Sequence, residues 1–466
     1  MAPTDTAIPA VATRRAQEST LEKRMHAARR RARALCVLLA VMVCGAAAAQ
    51  ETLRIVSPHP PALRDEFDTG FKAWLLEEHG LEADIEWMDQ GGTSNIVRFI
   101  NSEFRRSPEG INVDVFFGGG TDSYIQFTRD GLLETYEVPA DILDAVQPDI
   151  FGVPIVDPGR QWYGVALAGF GIMHNKLLAK RFRLPEVLTW EDLTNPGLQG
   201  RIATADPRNS GSAHMVYEII LQAYGWDKGW QVLQEMGANV KAFTRGASDV
   251  PNEVALGNVL YGPVIDFYAY AQISRTGEDK LGYVTPDGLS VINADPIGIL
   301  KGAPRLELAQ RFIDFCLTTR AQKLLMLPMG HPDGPKTDNL ARASVIPALY
   351  DEVGDDSIVG ENPFALKNTV KYDADKGGKR WSLVNDLYGT LIIDSHRDLT
   401  AAWKSIGKSG SDEARATLGQ MPLTEAEATE LAPGWGTADN ALVRKGTISE
   451  WREFARDKYR AAGKMR

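Results

Sequence analysis

The chain is poor in cysteine, with three among 466 residues. Cys36 and Cys44 fall within the first 49 residues, so the remainder holds Cys316 alone and no internal disulfide can form. Catalytic signatures are absent as well. There is no H-E-x-x-H, no G-x-S-x-G, no C-x-x-C and no G-x-x-x-x-G-K-[ST]. "GFGIMH", from Gly169, lacks the third glycine of a dinucleotide-binding turn, and its flanks continue as a strand. The apolar run Ala34–Gly45 is too short to cross a bilayer. Positive charge is in deficit. Residues 1–49 take 8 of the 51 Lys/Arg and 3 of the 61 Asp/Glu, leaving 43 against 58, a net −15. Such a surface does not favour nucleic acid or anionic lipid.

What is present begins with an export signal. "RRRARALCVLLAVMVCGAAAAQ" runs from a basic stretch through an apolar segment to small residues, the order of a secretory signal peptide. Cleavage near Ala49 leaves Gln50 first and places the protein in the periplasm. Met25 is an alternative start, and residues 1–24 read as an upstream tail. Met42 and Val43 precede Cys44 where a lipid-attachment site would have small residues. The remaining chain has an ordinary globular composition, 44% hydrophobic and 24% charged over the whole sequence, and is long enough for two lobes.

From Leu53 the pattern strand, loop, helix occurs three times. The strands are Leu53–Val56, "ADIEWM" and "VDVFF". The helices are Leu63–Glu78, "TSNIVRFINSEF" capped by Thr93 or Ser94, and "DSYIQFTRDGLL". Repetition of this unit predicts an α/β fold with a parallel, doubly wound sheet. Ligands in such sheets sit beyond the carboxyl ends of the strands. Three loops lie there: Ser57–His59, Gly91–Asn95 and Gly118–Asp122. A second α/β unit begins near "LTWEDL", with a strand at Arg201–Ala205 and a helix carrying Met215, Val216, Ile219, Ile220 and Ala223 on one face. Residues 305–327 read as an amphipathic helix or helix pair. From about 360 the chain is mainly helical, with Trp381, Trp403, Trp435 and Trp451 as packing anchors and a last helix at Ser449–Ala462.

The sharpest chemical feature is "DPRNSGSAHMVYEII". A helix N-terminus offers free N–H groups and the positive end of a dipole. Ser210 and Ser212 add hydroxyls, Gly211 permits close approach and Arg208 adds a fork of donors. That is an anion site, or alternatively a plain N-cap in which Ser210 serves its own helix. In "VIDFYAY", Asp266, Tyr268 and Tyr270 follow an apolar strand. They suit a hard cation such as ferric iron, or simply line a lobe. His59 stands in the first loop, while His174, His214 and His331 show no metal-ligand spacing.

The segments "DVFFGGGTDSYIQFTRDGLLETYE", "GVALAGFGIMHNKLL", "LTWEDLTNPGLQGRIATADPRNSGSA" and "LGYVTPDGLSVINADPIGILKGAPRLELAQRFIDFCLT" occur in an order that resembles the bacterial periplasmic solute-binding proteins of ABC importers (extracellular solute-binding family 1, type II). More closely, it resembles the cluster of ferric-ion, thiamine and sugar-phosphate receptors. The resemblance covers about Leu53 to Pro347. It implies two lobes joined by two crossing strands, a small-molecule ligand in the cleft and no cofactor. It also implies a monomer that delivers to an ABC permease and its ATPase at the inner membrane, and no enzymatic activity. The division expected is 1–49 tail and signal, 50–164 lobe 1, 165–172 crossing strand, 173–289 lobe 2, 290–355 return strand and completion of lobe 1, and 356–466 a helical C-terminal extension. Ferric-binding relatives have a His in the first loop, an acidic residue after the "DVF" strand and two adjacent tyrosines. Here His59 is near the first place, but Gly118-Gly119 replaces the acid and Phe267-Tyr268 replaces the tyrosine pair.

The expected ligand is therefore a small anionic or phosphorylated solute. The candidate ligand-binding residues are Ser57, His59, Thr93, Ser94, Gly119, Gly120, Thr121, Arg208, Ser210, Gly211, Ser212, Asp266 and Tyr268. An iron-binding protein is the first alternative and would use His59, Asp266 and Tyr268, with Asp122 within possible reach. A periplasmic sensor subunit for a membrane kinase is another. An enzyme on the same fold would have to pair His59 with Asp122 or Asp266.

Overall fold

The computed structural model describes residues 51–366, 369–437 and 440–465. The expected signal and its cleavage near Ala49 fall on residues 1–50, outside the described residues. Among the described residues no helix is long and apolar enough to cross a membrane.

The first three units form as the pattern requires: β1 (Glu51–Val56), α1 (Pro61–His79), β2 (Ala83–Met88), α2 (Thr93–Arg106), β3 (Val115–Phe117) and α3 (Thr121–Arg129). Prolines open α1, where a missing N–H costs nothing, and Gly80 closes it in the left-handed conformation. The cap of α2 is Gly92, so Thr93 and Ser94 lie inside the first turn and make no side-chain cap. The long strand β4 (Tyr163–Asn175) follows, buried over nearly all its length. The second unit contains β5 (Ile202–Ala205), α4 (Gly211–Tyr224), α5 (Trp226–Ala238), β6 (Val240–Thr244), β7 (Tyr261–Ile265), α6 (Asp266–Thr276) and β8 (Leu281–Val284). The chain returns through β9 (Ile292–Ile299) to the helix pair α7 (Leu306–Leu317) and α8 (Thr319–Met326) and the short β10 (Ala343–Ser344).

The strand order is β2-β1-β3-β9-β4-β7-β5-β6, with β8 and β10 also paired to β4. β1 and β3 are parallel, as are β5 with β6 and β5 with β7. β4 belongs to both lobes. Its first half pairs antiparallel with β9 and its second half with β7 and β8. β4 and β9 are thus the two strands that run between the lobes. The result is the two-lobed type II fold.

The core is correspondingly divided. Leu53, Phe67, Phe71, Val115, Phe312 and Phe315 pack in lobe 1, with a smaller cluster of Ile96, Phe116, Tyr124 and Phe127 beside it. Lobe 2 shares a single core with the C-terminal helices α9 (Ala374–Tyr388), α10 (His396–Ser409), α11 (Asp412–Gly419), α12 (Glu425–Leu431) and α13 (Ala441–Ala462). Trp381, Trp403, Trp435 and Trp451 are buried there, the last two stacked at 5.1 Å. The final helix begins at Ala441, eight positions ahead of the expected Ser449, because the exposed turns before Trp451 continue the same helix.

Candidate functional site

A cavity of about 410 Å³ lies between the lobes. Its floor is the crossing strands: Ala168 and Phe170 from β4, and Asn293, Ala294 and Asp295 from β9. Its walls are the first turns of helices from both lobes. Gly92 and Thr93 open α2, Gly120 caps α3, Ser210–Ser212 open α4, and Ile265, Phe267 and Tyr268 surround the start of α6. Each of these helices follows a strand, so each N-terminus is delivered to the carboxyl edge of its lobe's sheet. Their unsatisfied N–H groups and dipoles make the cavity favourable to negative charge.

At the floor a buried polar cluster joins three parts of the chain. Asp295 accepts from His59 Nε2 at 2.7 Å, from Arg342 Nη1 at 2.5 Å and from the Gly119 N–H at 2.8 Å. Ser57 Oγ lies 3.0 Å from His59 Nδ1. Burial alone would raise the Asp295 carboxyl, but His59, Arg342 and the Gly119 N–H outweigh it and hold it well below the usual carboxylate range. Burial holds the His59 imidazole below its ordinary value, so the ring is neutral near pH 7. A neutral ring donating from Nε2 to Asp295 and accepting from the Ser57 hydroxyl satisfies both nitrogens. Arg342 also stacks on Phe267, 3.7 Å from the ring centroid.

The glycine run is shaped by this cluster. Gly118, Gly119 and Gly120 all have positive φ, between 80° and 107°. A Cβ at Gly118 would meet the His59 ring at 2.7 Å, and one at Gly119 would meet Thr93 Cγ2 at the same distance. The glycines let the chain pass close over His59 and Thr93, and the Gly119 N–H is given to Asp295 rather than left for a ligand.

Of the candidate residues, Ser57, His59, Thr93, Gly119, Gly120, Ser210, Gly211, Ser212 and Tyr268 line the cavity. Four do not. Ser94 points away and donates to the Pro207 carbonyl. Thr121 donates to Asn293 Oδ1 behind the floor. Asp266 accepts from the Gly169 and Phe267 N–H groups, with burial pushing its carboxyl up to about 7. Arg208 is a correction to the anion reading of its segment. Its guanidinium is held by Asp206 and Asp394, which removes it from the cavity. Ser210 does serve as the N-cap of α4, accepting from the Ala213 N–H. Gly211 has a spatial reason too, since a Cβ there would lie 2.7 Å from Thr93 in the opposite lobe.

The structure adds residues that the sequence reading missed. Arg64, Arg245 and Arg342 are the cavity's cations, and Asp89, Asp249 and Asp295 its anions. Arg64 lies 3.5 Å from Asp89, and Arg342 is taken by Asp295. Arg245 and Asp249 have no ion pair among the described residues. The signal for Arg245 was "FTRGASD": a charge followed by glycine at the carboxyl end of β6, the position that flagged the three loops of lobe 1. For Arg342 no local signal exists.

The ferric-iron alternative would use His59, Asp266 and Tyr268, of which His59 and Asp266 are committed to other hydrogen bonds. Both ring nitrogens of His59 are engaged and Asp266 lies outside the cavity. Among the described residues no group of three or more His, Cys, Asp or Glu could hold a metal ion. His59 pairs with Asp295, and with neither Asp122 nor Asp266 as an acid–base couple would require.

This chain belongs to the bacterial extracellular solute-binding proteins, whose family profile matches residues 112–344. It is a solute-binding protein of ABC-type transport. It is 24% identical over 296 residues to the phosphoglycerate transport regulatory protein PgtC of Salmonella typhimurium, spanning 62% of this chain and 69% of that one. The periplasmic binding protein AfuA from Actinobacillus pleuropneumoniae, solved with exogenous fructose-6-phosphate bound, shares the fold. Its TM-score is 0.58 at 21% identity, over 76% of this chain and 98% of that one. Iron-bound HitA from Pseudomonas aeruginosa has a TM-score of 0.56 at 18% identity, over 73% and 99%.

Proposed function

We propose that the protein captures a small phosphorylated organic solute between its lobes and delivers it, as a monomeric periplasmic receptor, to an ABC permease and its ATPase. The observation that carries this reading is the convergence of helix N-termini from both lobes, with Arg245, which has no ion pair among the described residues, on one cavity of about 410 Å³. That volume lies within the usual range for small organic ligands, about 300–1,000 Å³. A bare metal ion or an inorganic phosphate would leave most of it to water. The phosphate would take the N–H groups and Arg245. Asp249 and Asn293 suit hydroxyl or amine donors on the rest of the molecule, because a carboxylate facing an anion is favourable only when the ligand also brings donors. The solutes named for PgtC and AfuA are of this class.

The test is a thermal-stability screen of the mature chain against fructose 6-phosphate, 3-phosphoglycerate, inorganic phosphate and ferric citrate. A ligand at 100 times its dissociation constant stabilises by about 2.7 kcal/mol. A phosphorylated organic solute is expected to raise the midpoint without being turned over. A response to ferric citrate alone would overturn the reading. The regulatory role named for PgtC favours a second reading, a sensor subunit for a membrane kinase. Solute uptake by a strain lacking the gene separates the two, since a transporter's loss abolishes uptake even when the permease is expressed constitutively.

A further inference from the structure

The C-terminal helices share their core with lobe 2, yet one segment of them also reaches lobe 1. Tyr372, just ahead of α9, donates to Asp122 Oδ2 at 2.5 Å, and Asp122 sits in the first turn of α3. About two turns into α9, Trp381 Nε1 donates to Ser94 Oγ of α2 at 3.3 Å. Between them, Gly377 and Gly378 bring α9 onto α3. A Cβ at Gly377 would lie 2.6 Å from Asp122 Oδ2, and one at Gly378 would lie 3.1 Å from the Asp122 carbonyl oxygen. Arg129 of α3 forms an ion pair with Asp375 at the rim.

The same segment is fixed on its other side to lobe 2. Trp381 stacks on His214 with ring centroids 3.7 Å apart, and His214 Nδ1 lies 2.7 Å from Asn385 Oδ1. Arg380 and Glu218 form a buried pair at 2.7 Å, with side chains 3% and 0% exposed. Tyr372, Asp122, Trp381, His214 and Ser94 are all buried. A largely buried contact, made to both lobes from one segment, resists the lobes moving apart more than exposed ion pairs do.

The contacts also back the cavity wall. Tyr372 touches Met215 Sδ at 3.6 Å, and Met215 lines the cavity. Ser94 adjoins Thr93, which lines it from the other lobe. The family profile ends at residue 344, so this segment lies outside the matched region.

We infer that Tyr372 and Trp381 are positioning residues that pin lobe 1 to lobe 2 behind the cavity, so that the lobe spacing is set by the C-terminal segment and not by the ligand. The inference rests on the two-lobed fold and is independent of which solute binds. It makes this chain a preformed receptor in which the cost of closure is met at folding, and removing the pin lowers affinity by the fraction of molecules that stay closed.

The experiment is a distance measurement between spin labels on the full mature chain. The labels go on Arg105→Cys in lobe 1 and Lys180→Cys in lobe 2, both exposed sites, while the native Cys316 is buried. Without ligand, the parent is expected to give one narrow distance distribution. The Tyr372→Phe/Trp381→Phe pair is expected to broaden and lengthen it, with the far-ultraviolet circular dichroism of each lobe retained. Asp122→Asn, which keeps both the volume and an acceptor for Tyr372, is expected to match the parent at pH 6, whereas Tyr372→Phe alone keeps the ring but loses the hydrogen bond and is expected to broaden the distribution. A parent distribution already broad without ligand, or a folded double variant with the parent distribution, would overturn the inference. Should the double variant not fold, Trp381→Phe alone removes the indole N–H from Ser94 while leaving the Ser94–Pro207 hydrogen bond in place, and an unchanged distribution there would equally count against Trp381.

Discussion

Replacing Arg342 by methionine should destabilise the protein more than its single ion pair suggests. Arg342 is 3% exposed and Asp295 14%, so the substitution leaves a carboxylate in a nearly dry site. Removing one member of a buried pair costs about 3–5 kcal/mol. The His59 ring and the Gly119 N–H remain on Asp295 and place the expected loss at the lower end, while the lost stacking on Phe267 adds back about 0.5–2 kcal/mol. The expected cost is therefore about 4 kcal/mol, and Asp295→Asn should cost a similar amount by stranding the guanidinium. The double variant should recover about 2–3 kcal/mol relative to the sum of the singles, since neither charge is then left alone. Urea unfolding at pH 7 measures all four corners of the cycle. The pH dependence supplies a second check. Asp295 has its folded pKa depressed, so its contribution is complete above the usual carboxylate range and is lost as pH falls through that range and below it. The parent should lose stability over that acid window more steeply than Arg342→Met. Single-variant costs that add within about 0.5 kcal/mol would refute the argument that the two charges depend on each other.

Three further outcomes follow from the same geometry. Arg245→Ala should weaken a phosphorylated ligand about 10- to 150-fold by calorimetric titration, the worth of a hydrogen bond to a charged group at about 1.5–3 kcal/mol, whereas Arg208→Ala should leave affinity nearly unchanged. Gly92→Ala places a Cβ 2.0 Å from the Asn209 carbonyl oxygen across the lobes at an ordinary φ of −73°. Carbon and oxygen in contact sit at about 3.3 Å or more, so small-angle scattering or the spin-label pair should show the lobes parted, and an unchanged distance would remove that contact. Burial, helped by the nearby Glu218 and Asp373 carboxylates, pushes the Asp122 carboxyl up to about 8 against the lowering hydrogen bonds from the Tyr372 and Thr121 hydroxyls. The packed junction keeps a proton that an opened form would release, so raising pH from the usual carboxylate range to about 8 should favour opening. Asp122→Asn should abolish that dependence.

The lobe-1 elements were legible because each strand is a short apolar run closed by Gly, Pro or Ser, and each helix carries its apolar residues on one face. The loops at the strand ends could be located for the same reason, and Ser57, Thr93, Gly120 and Ser210 through Ser212 do come together. Arg208 was misread because a donor beside a helix N-terminus looks the same whether it faces a cavity or an acid. Its partner Asp394 is 186 positions away in sequence. Asp295 and Arg342 were invisible for a related reason. Neither stands in a glycine-rich loop, and their importance arises only when β9 brings one beside His59 and the chain after α8 returns with the other.

The local order of residues thus determined the α/β units, their direction and the edge at which ligand contacts gather, because strand and helix periods and turn residues act over a few positions. Tertiary structure alone decided which charges are spent on one another and which remain for a ligand, since ion pairing depends on distances set by the whole chain. It also decided the place of the C-terminal segment. Its tryptophans announced burial, but only the packing of Trp381 and Tyr372 against both lobes shows that these two residues bury the junction itself.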